Sequence, residues 1–303
     1  MIFKRNIYNE LIEWKKEQGK SSILVEGARR VGKSTLVENF AKENYKTYIL
    51  IDFNNISAEI RDIFLNERAN IDTFYLKLSL ATGIKIYRRK TLLIFDEVQK
   101  FPIAREYTKY IVKDNRCDCI CTGSLISIKK NTQGISIPSE ERKIKIYPLD
   151  FEEFLLALNE DVRLEGIKAI VKINQPIGNG IHRTLMEFMR LYIVIGGMPQ
   201  AVAKYLETKD FDKVDKIKRE ILGIYRDDIL ANGDENKYKI LNIFDNIPSQ
   251  LNKSYKKFIL NKTLKGDRIE RNVENFVFLE EAMLINRCFL CNNPNIGLNQ
   301  NRE

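Results

Sequence analysis

The octapeptide Gly27-Ala28-Arg29-Arg30-Val31-Gly32-Lys33-Ser34 reads G-x-x-x-x-G-K-S, and it restricts the fold more than any other segment. It follows an apolar run, Ile23-Leu24-Val25, and precedes a helix-like stretch from Thr35 to Glu43. A phosphate-binding loop requires that strand–loop–helix context. Without a Cβ, Gly27 and Gly32 can take backbone angles that other residues avoid, which lets the chain curl around a phosphate. The loop N–H groups then point inward at the positive end of the helix dipole. Lys33 is placed to reach the β- and γ-phosphates of a nucleotide, and Ser34 to ligate Mg²⁺. The expected nucleotide-contacting set is Gly27, Ala28, Arg29, Arg30, Val31, Gly32, Lys33, Ser34 and Thr35.

A glycine turn that happens to carry a lysine shows the same letters, so a second motif matters. Leu92-Leu93-Ile94-Phe95-Asp96-Glu97 is an apolar strand ending in two carboxylates. Asp96 is the expected magnesium-side carboxylate of a P-loop ATPase. Glu97 directly after it can polarise the attacking water as a general base. The two motifs in this order, about sixty residues apart, point to nucleotide binding. Lys33 and Glu97 are the expected catalytic residues, and Ser34 and Asp96 the expected metal ligands.

The 303 residues leave room for two domains. With 44% hydrophobic and 30% charged residues, the composition is that of an ordinary globular protein. No apolar run approaches the roughly 18 residues of a membrane helix. Met1-Ile2-Phe3-Lys4-Arg5-Asn6 leads into an amphipathic stretch and not a signal-peptide core, so the expected location is the cytoplasm, with no membrane partner.

Cys117, Cys119 and Cys121 alternate and share one face of a strand. Completed by Cys288 and Cys291 they would be a metal site; otherwise they are small apolar side chains in the core, the commoner use of free cysteine. The single histidine, His182, argues against Ser–His–Asp or Cys–His chemistry. Net charge is +9 and uneven: residues 1–150 hold 27 Lys and Arg against 19 Asp and Glu, residues 151–303 hold 23 against 22. The basic half either attracts polyanions or offsets bound nucleotide and solubilises the surface.

Helical periodicity over 6–18 stops at Gly19. Strands are expected at 22–25, 48–53, 91–95, 117–121 and 143–147, alternating with helices at 35–43, 57–82 and 104–113. That alternation implies a parallel, doubly wound sheet with ligands at the C-terminal ends of the strands. The phosphate loop, Asp96-Glu97 and Thr122-Gly123-Ser124 all fall at such ends. After Pro148 the pattern turns helical, broken at 174–180 and at Ile195-Gly196-Gly197-Met198-Pro199. The expected domains are 1–150 and 151–303.

Several segments together resemble a group of AAA+-superfamily ATPases widespread in archaea and bacteria, which pair a P-loop domain with a C-terminal domain of unknown function. They are Glu26 to Ser34, Leu93-Ile94-Phe95-Asp96-Glu97-Val98-Gln99, Thr122-Gly123-Ser124-Leu125, Tyr147-Pro148-Leu149-Asp150-Phe151-Glu152-Glu153-Phe154, Gly196-Gly197-Met198-Pro199 and Ile247-Pro248-Ser249-Gln250-Leu251. The resemblance implies an ATP-binding and ATP-hydrolysing α/β domain with sheet order 5-1-4-3-2. It implies that Thr122 or Ser124 is the polar sensor beside the γ-phosphate, and that residues 235–290 form a winged-helix-like unit. Members show a glycine and a basic residue before the fifth strand, where this chain has Pro138-Ser139-Glu140-Glu141-Arg142-Lys143. Members also continue into a nuclease-like fold, so this chain is expected to be a shortened member without nuclease activity.

The leading expectation is Mg²⁺-dependent ATP hydrolysis that drives a conformational change. A second is a nucleic-acid-binding module with ATP as its switch. It rests on seven Lys or Arg between residues 253 and 271, with Tyr255 and Phe258 interleaved. A third is a slow-hydrolysing switch that signals to a protein partner. No Asn-Lys-x-Asp guanine-reading segment occurs, which favours adenine. An arginine finger from a second copy would make the site homo-oligomeric.

Overall fold

Three apolar runs become the fully buried middle of a five-stranded sheet. In the computed structural model, which describes residues 1–67, 70–124, 138–254, 258, 259, 272–289 and 291, these are β1 (Ser22–Glu26), β3 (Thr91–Asp96) and β4 (Asp118–Gly123). Every residue of β1 and β4 is buried, as is all of β3 except Asp96. Strands covered on both faces read as continuous apolar runs. The edges, β2 (Thr47–Asp52) and β5 (Glu141–Lys145), are only partly buried. The order is β2-β3-β4-β1-β5, all parallel, which is the expected 5-1-4-3-2 read from the other edge.

Five helices accompany the sheet. On one face α1 (Tyr8–Lys16) and α2 (Lys33–Asn44) meet through Trp14 and Phe40, their rings 6.5 Å apart. On the other lie α3 (Ala58–Asn66), α4 (Ile71–Thr82) and α5 (Ile103–Asp114). Their Phe64, Phe74 and Tyr107 cluster with Leu93 and Phe95 of β3. The single helix expected over 57–82 is therefore two, because Ser57 and Asn70 each cap a start by accepting the N–H three residues on. Cys117, Cys119 and Cys121 are part of this core. Burial pushes the Cys117 thiol up to about 12, in keeping with a small apolar core side chain.

The first compact unit runs from Met1 to Asp227, past the boundary expected near residue 150. Helix α6 (Phe151–Ala157) opens on a capping box in which Asp150 and Glu153 satisfy each other's backbone N–H groups. Then come α7 (Asp161–Lys172), α8 (Asn179–Ile195), α9 (Pro199–Thr208) and α10 (Phe211–Asn232). Phe154, Ile195, Val202 and Val214 pack with Leu149 in a core of their own. The Gly196-Gly197-Met198-Pro199 segment is the break between α8 and α9. Gly196 closes α8 at φ 79°, and Pro199 starts α9. Gly197 has to be glycine because a Cβ there would sit 2.1 Å from the Leu149 carbonyl oxygen.

The second unit, Asp228–Glu303, contains α11 (Lys237–Leu251) and α12 (Val273–Glu281). Ile240, Ile243 and Leu279 form its core, with Phe258 edge-on to Phe276. The described part is helical. Of the stretch 235–290 expected to be winged-helix-like, the described residues give these two helices, and most of the basic run 253–271 lies outside the described residues. No described helix is long and apolar enough to cross a membrane.

Candidate functional site

Strand β1 ends at Glu26, α2 begins at Lys33, and the six residues between form the loop. Both glycines were expected to take unusual backbone angles, but only Gly32 does, at φ 94° as the N-cap of α2. Gly27 is needed for space: a Cβ there would lie 2.6 Å from the Ile146 carbonyl oxygen and 3.0 Å from Val31 Cγ2. Ile146 comes that close because its N–H donates to the Glu26 carbonyl at 2.8 Å. The second left-handed residue of the loop is Arg30, at φ 69°. Ala28 and Val31 are buried within the loop, while the Arg29 and Arg30 side chains are exposed.

Lys33 is buried, and its ammonium donates to the carbonyls of Gly27 at 3.1 Å and Ala28 at 3.0 Å. The loop's own backbone thus holds a desolvated positive charge at its centre.

The carboxylates arrive from the neighbouring strands. Parallel register places Asp52, the last residue of β2, beside Asp96, the last of β3. Ser34 Oγ lies 2.8 and 2.9 Å from the two Asp96 oxygens, and the Thr122 hydroxyl donates to the same carboxylate. Thr122 in turn accepts the Glu97 N–H at 3.3 Å. Glu97 sits at φ 57°, a left-handed conformation that costs a non-glycine residue on the order of 1 kcal/mol or more. That turn sends the Glu97 side chain into the cleft while Asp96 faces Ser34. Ser124 Oγ donates to Glu97 Oε2 at 3.1 Å, and the Gln99 amide donates to the same oxygen. Gln99 also donates to Ser124 Oγ at 3.2 Å. Thr122 and Ser124, offered as alternatives for one polar role, are divided between the two acids. No role was read for Gln99; its only signal was its place in the Asp-Glu-x-Gln segment.

Burial raises the Asp96 pKa; the hydrogen bonds from Thr122 and Ser34 oppose that rise, and the charges of Glu97 and Asp52 add to it. Carboxylates crowded with hydroxyls in a corner without nitrogen or sulfur donors suit a hard dication. No group of three His, Cys, Asp or Glu among the described residues makes an all-protein metal cage. Mg²⁺ does not need one, because it uses one or two carboxylates together with phosphate and water.

A cleft of about 920 Å³ opens over the loop, lined by Arg29, Arg30, Gly32, Lys33, Ser34, Thr35 and Glu97. That is within the range of about 300–1,000 Å³ typical of small-molecule sites. Asp96, Thr122 and Ser124 stand behind it. The far wall comes from the N-terminal strap, Met1 to Asn6, and from Pro199, Gln200 and Ala203 on α9.

Two contacts to the loop had no counterpart in the sequence reasoning. Arg5 donates to the Val31 carbonyl at 3.0 Å and the Tyr147 carbonyl at 2.5 Å, and pairs with buried Glu153 at 3.0 Å. Tyr225 on α10 donates its hydroxyl to the Arg29 carbonyl at 2.9 Å. In the segment before β5, Glu141 forms a two-pronged buried pair with Arg105 at 2.7 and 2.5 Å. This pair lies at the start of β5, the end of the sheet away from the phosphate loop.

Residues 19–155 match the AAA domain family. The match to the AAA domain takes in β1 to β5, the loop and both carboxylates. Residues 186–303 match a family described as a domain of unknown function. An uncharacterized protein of Methanocaldococcus jannaschii, MJ1544, is 25% identical over 241 residues, 79% of this chain and 47% of that protein. The chain spans about half the length of this curated relative. Solved structures similar to it include PCH-2 of C. elegans, with TM-score 0.32 and 13% identity over 93% of this chain and 69% of that one. Another is a DNA replication initiation factor, with TM-score 0.35 and 14% identity over 93% and 91%.

Proposed function

We propose that the first unit binds ATP with Mg²⁺ and hydrolyses it, coupling turnover to movement of the helices beside the loop. The observation that carries this reading is the division of labour around β3. Asp96 is held against Ser34 by Thr122, while Glu97 is turned into the cleft and held by Ser124 and Gln99. The match of residues 19–155 to the AAA domain family supports it.

In this reading Lys33 leaves the Gly27 and Ala28 carbonyls for the β- and γ-phosphates. Ser34 and Asp96 would hold Mg²⁺, which when bound neutralises charge developing on the phosphates. Glu97 accepts the proton of the attacking water. Thr122 keeps Asp96 facing the metal side, and Ser124 reports on the γ-phosphate through Glu97. Movement passes to the helical part through Tyr225, which reads the Arg29 carbonyl, and through Pro199 beside Gly32. DNA, a protein partner or a second copy of the chain completes the system; an arginine finger from a neighbour would make turnover rise with concentration.

The test is steady-state and single-turnover ATP hydrolysis with Mg²⁺. Lys33→Ala should abolish ATP binding. Glu97→Gln should bind ATP yet turn over at least about 10²-fold more slowly. Unchanged turnover in Glu97→Gln would remove the general base from the scheme.

One observation favours a slow switch instead: the Glu97 oxygen is already occupied by two donors. If they restrain the base, Gln99→Ala raises the basal rate. If they aim it, the rate falls.

A further inference from the structure

The end of the first unit's sheet opposite the phosphate loop carries an unassigned cluster of positive charge. A parallel sheet brings every strand start to one end, so residues far apart in sequence meet there. Lys20 lies just before β1, Lys46 immediately before β2, and Lys85, Arg88 and Lys90 before β3. Lys113 lies at the end of α5, before β4. All six side chains are exposed. Hydrogen bonds lace these segments together: Lys46 N–H to the Lys90 carbonyl at 3.0 Å, and Arg89 N–H to the Arg116 carbonyl at 2.8 Å. The Gly19 turn abuts both, since a Cβ there would lie 2.5 Å from Arg89 Nη1 and 2.4 Å from Asn115 Oδ1.

Most acids at this end are already partnered. Glu13 pairs with Lys16 and Glu17 with Arg142. Asp72 and Asp114 both meet Arg116, and Asp118 meets Arg89 and Tyr45. None of the six exposed cations is in an ion pair among the described residues. They span four adjacent strands, which at about 4.8 Å per strand makes a row roughly 15 Å across.

We propose that this face docks the phosphate backbone of duplex DNA, without reading its sequence. Five of the six cations are lysines, point charges on flexible stems that suit repeated phosphates better than one shaped carboxylate site. The aromatic residue present is not free for base stacking. Lys46 covers the Tyr87 ring at 3.8 Å, and Lys85 approaches it at 5.5 Å. Single-strand binding uses open aromatic platforms; a ring capped by lysines offers only charge. This surface is at the opposite end of the sheet from the nucleotide cleft and uses none of the residues 253–271, and it stands whether or not ATP is turned over.

The experiment is fluorescence anisotropy of the full chain with a labelled duplex, from about 50 to about 200 mM salt. Six phosphate contacts give a log–log slope near −5 and an affinity loss of about 10³-fold over that range. The variant Lys20→Ala/Lys46→Ala/Arg88→Ala/Lys90→Ala should flatten the slope by about 3 to 4. It should also bind at least about tenfold more weakly at the low-salt end, with an unchanged melting temperature. Replacing the three lysines by arginine should preserve binding, which a folding defect in the alanine variant could not mimic. Three results would overturn the proposal: no DNA binding by the wild type at low salt; a slope unchanged in the alanine variant but lost when Lys256, Lys257, Lys262 and Lys265 are neutralised; or binding to anionic phospholipid vesicles that DNA does not compete away.

Discussion

Arg5 is the residue whose removal should most disturb the site without touching the phosphate loop's own sequence. Its guanidinium reaches Glu153, the Val31 carbonyl and the Tyr147 carbonyl at once, and the Arg5 and Glu153 side chains are only 7% and 6% exposed. Removing one partner of a buried pair costs about 3–5 kcal/mol, because the other charge is left desolvated. Here Glu153 keeps two backbone donors, Asn6 at 2.7 Å and Asp150 at 3.2 Å, so Arg5→Met should fall near the lower figure. At roughly 2–4 °C per kcal/mol for a unit of this size, the first transition in calorimetry should drop by about 6–12 °C. Arg5→Lys should recover little of that loss, because a single ammonium cannot reproduce a planar fork bonded to three acceptors. The double variant Arg5→Met/Glu153→Leu should be less damaged than the sum of its singles, since it leaves no stranded charge. A drop under about 2 °C for Arg5→Met, or strict additivity in the double variant, would refute the idea that this pair fastens the N-terminal strap to the loop.

Gly27→Ala should be worse than Gly32→Ala. The first drives a Cβ to 2.6 Å from a backbone carbonyl and should cost about 1–3 kcal/mol with loss of ATP binding. The second has nothing nearer than 3.7 Å and meets only the left-handed strain of about 1–2 kcal/mol. Equal melting temperatures would contradict that ranking. Because burial raises the Asp96 pKa, the native state holds its proton more tightly than the unfolded chain does. Stability without Mg²⁺ should therefore fall as pH rises from the ordinary aspartate value through the raised native one, and Asp96→Asn should remove that decline. Stabilisation by Mg²⁺ should grow across the same window in thermal melts; a flat Mg²⁺ effect would count against Asp96 as a ligand. Thr122→Val should loosen Asp96 and Glu97 together, weakening both Mg²⁺ stabilisation and turnover, whereas Ser124→Ala should slow turnover alone.

The sheet was legible because burial on both faces favours apolar runs, which β1 and β3 show, while β4 showed itself through the cysteines that alternate around Asp118. Their order is also the one the resemblance implies. The meeting of Ser34 with Asp96 was legible as well, since the phosphate loop that leads into α2 and the end of β3 fall at strand ends that a parallel sheet brings together. What could not be read depends on contacts between segments that carry no local pattern. Arg5 looks like any surface arginine until Glu153 and two carbonyls enclose it. Gly27 looks like a residue needed for its angles, and only the nearness of Ile146 shows that it is needed for its size. The division of Thr122 and Ser124 between Asp96 and Glu97 follows from the left-handed turn at Glu97, which no propensity favours.

Charge was the property most obscured by counting. The excess of 27 cations over 19 acids in residues 1–150 suggests a diffusely basic domain. A parallel sheet sorts those charges by their position relative to the strands. Residues that precede strands collect at one end, where Lys20, Lys46 and Lys90 lie before β1, β2 and β3. Residues that end strands collect at the other, where Glu26, Asp52 and Asp96 close the same three strands. The unit is therefore polarised along its strands, with the carboxylates proposed to hold Mg²⁺ at one end and, at the other, lysines in no ion pair among the described residues. A dication–nucleotide complex and a polyanionic backbone would thus bind at opposite ends of the same strands. Salt should weaken DNA binding steeply while leaving Mg²⁺-dependent ATP binding, which rests on buried and hydrogen-bonded groups, much less affected. Equal salt sensitivity of the two would mean that both anions use the same charges, and the two-ended arrangement would fail.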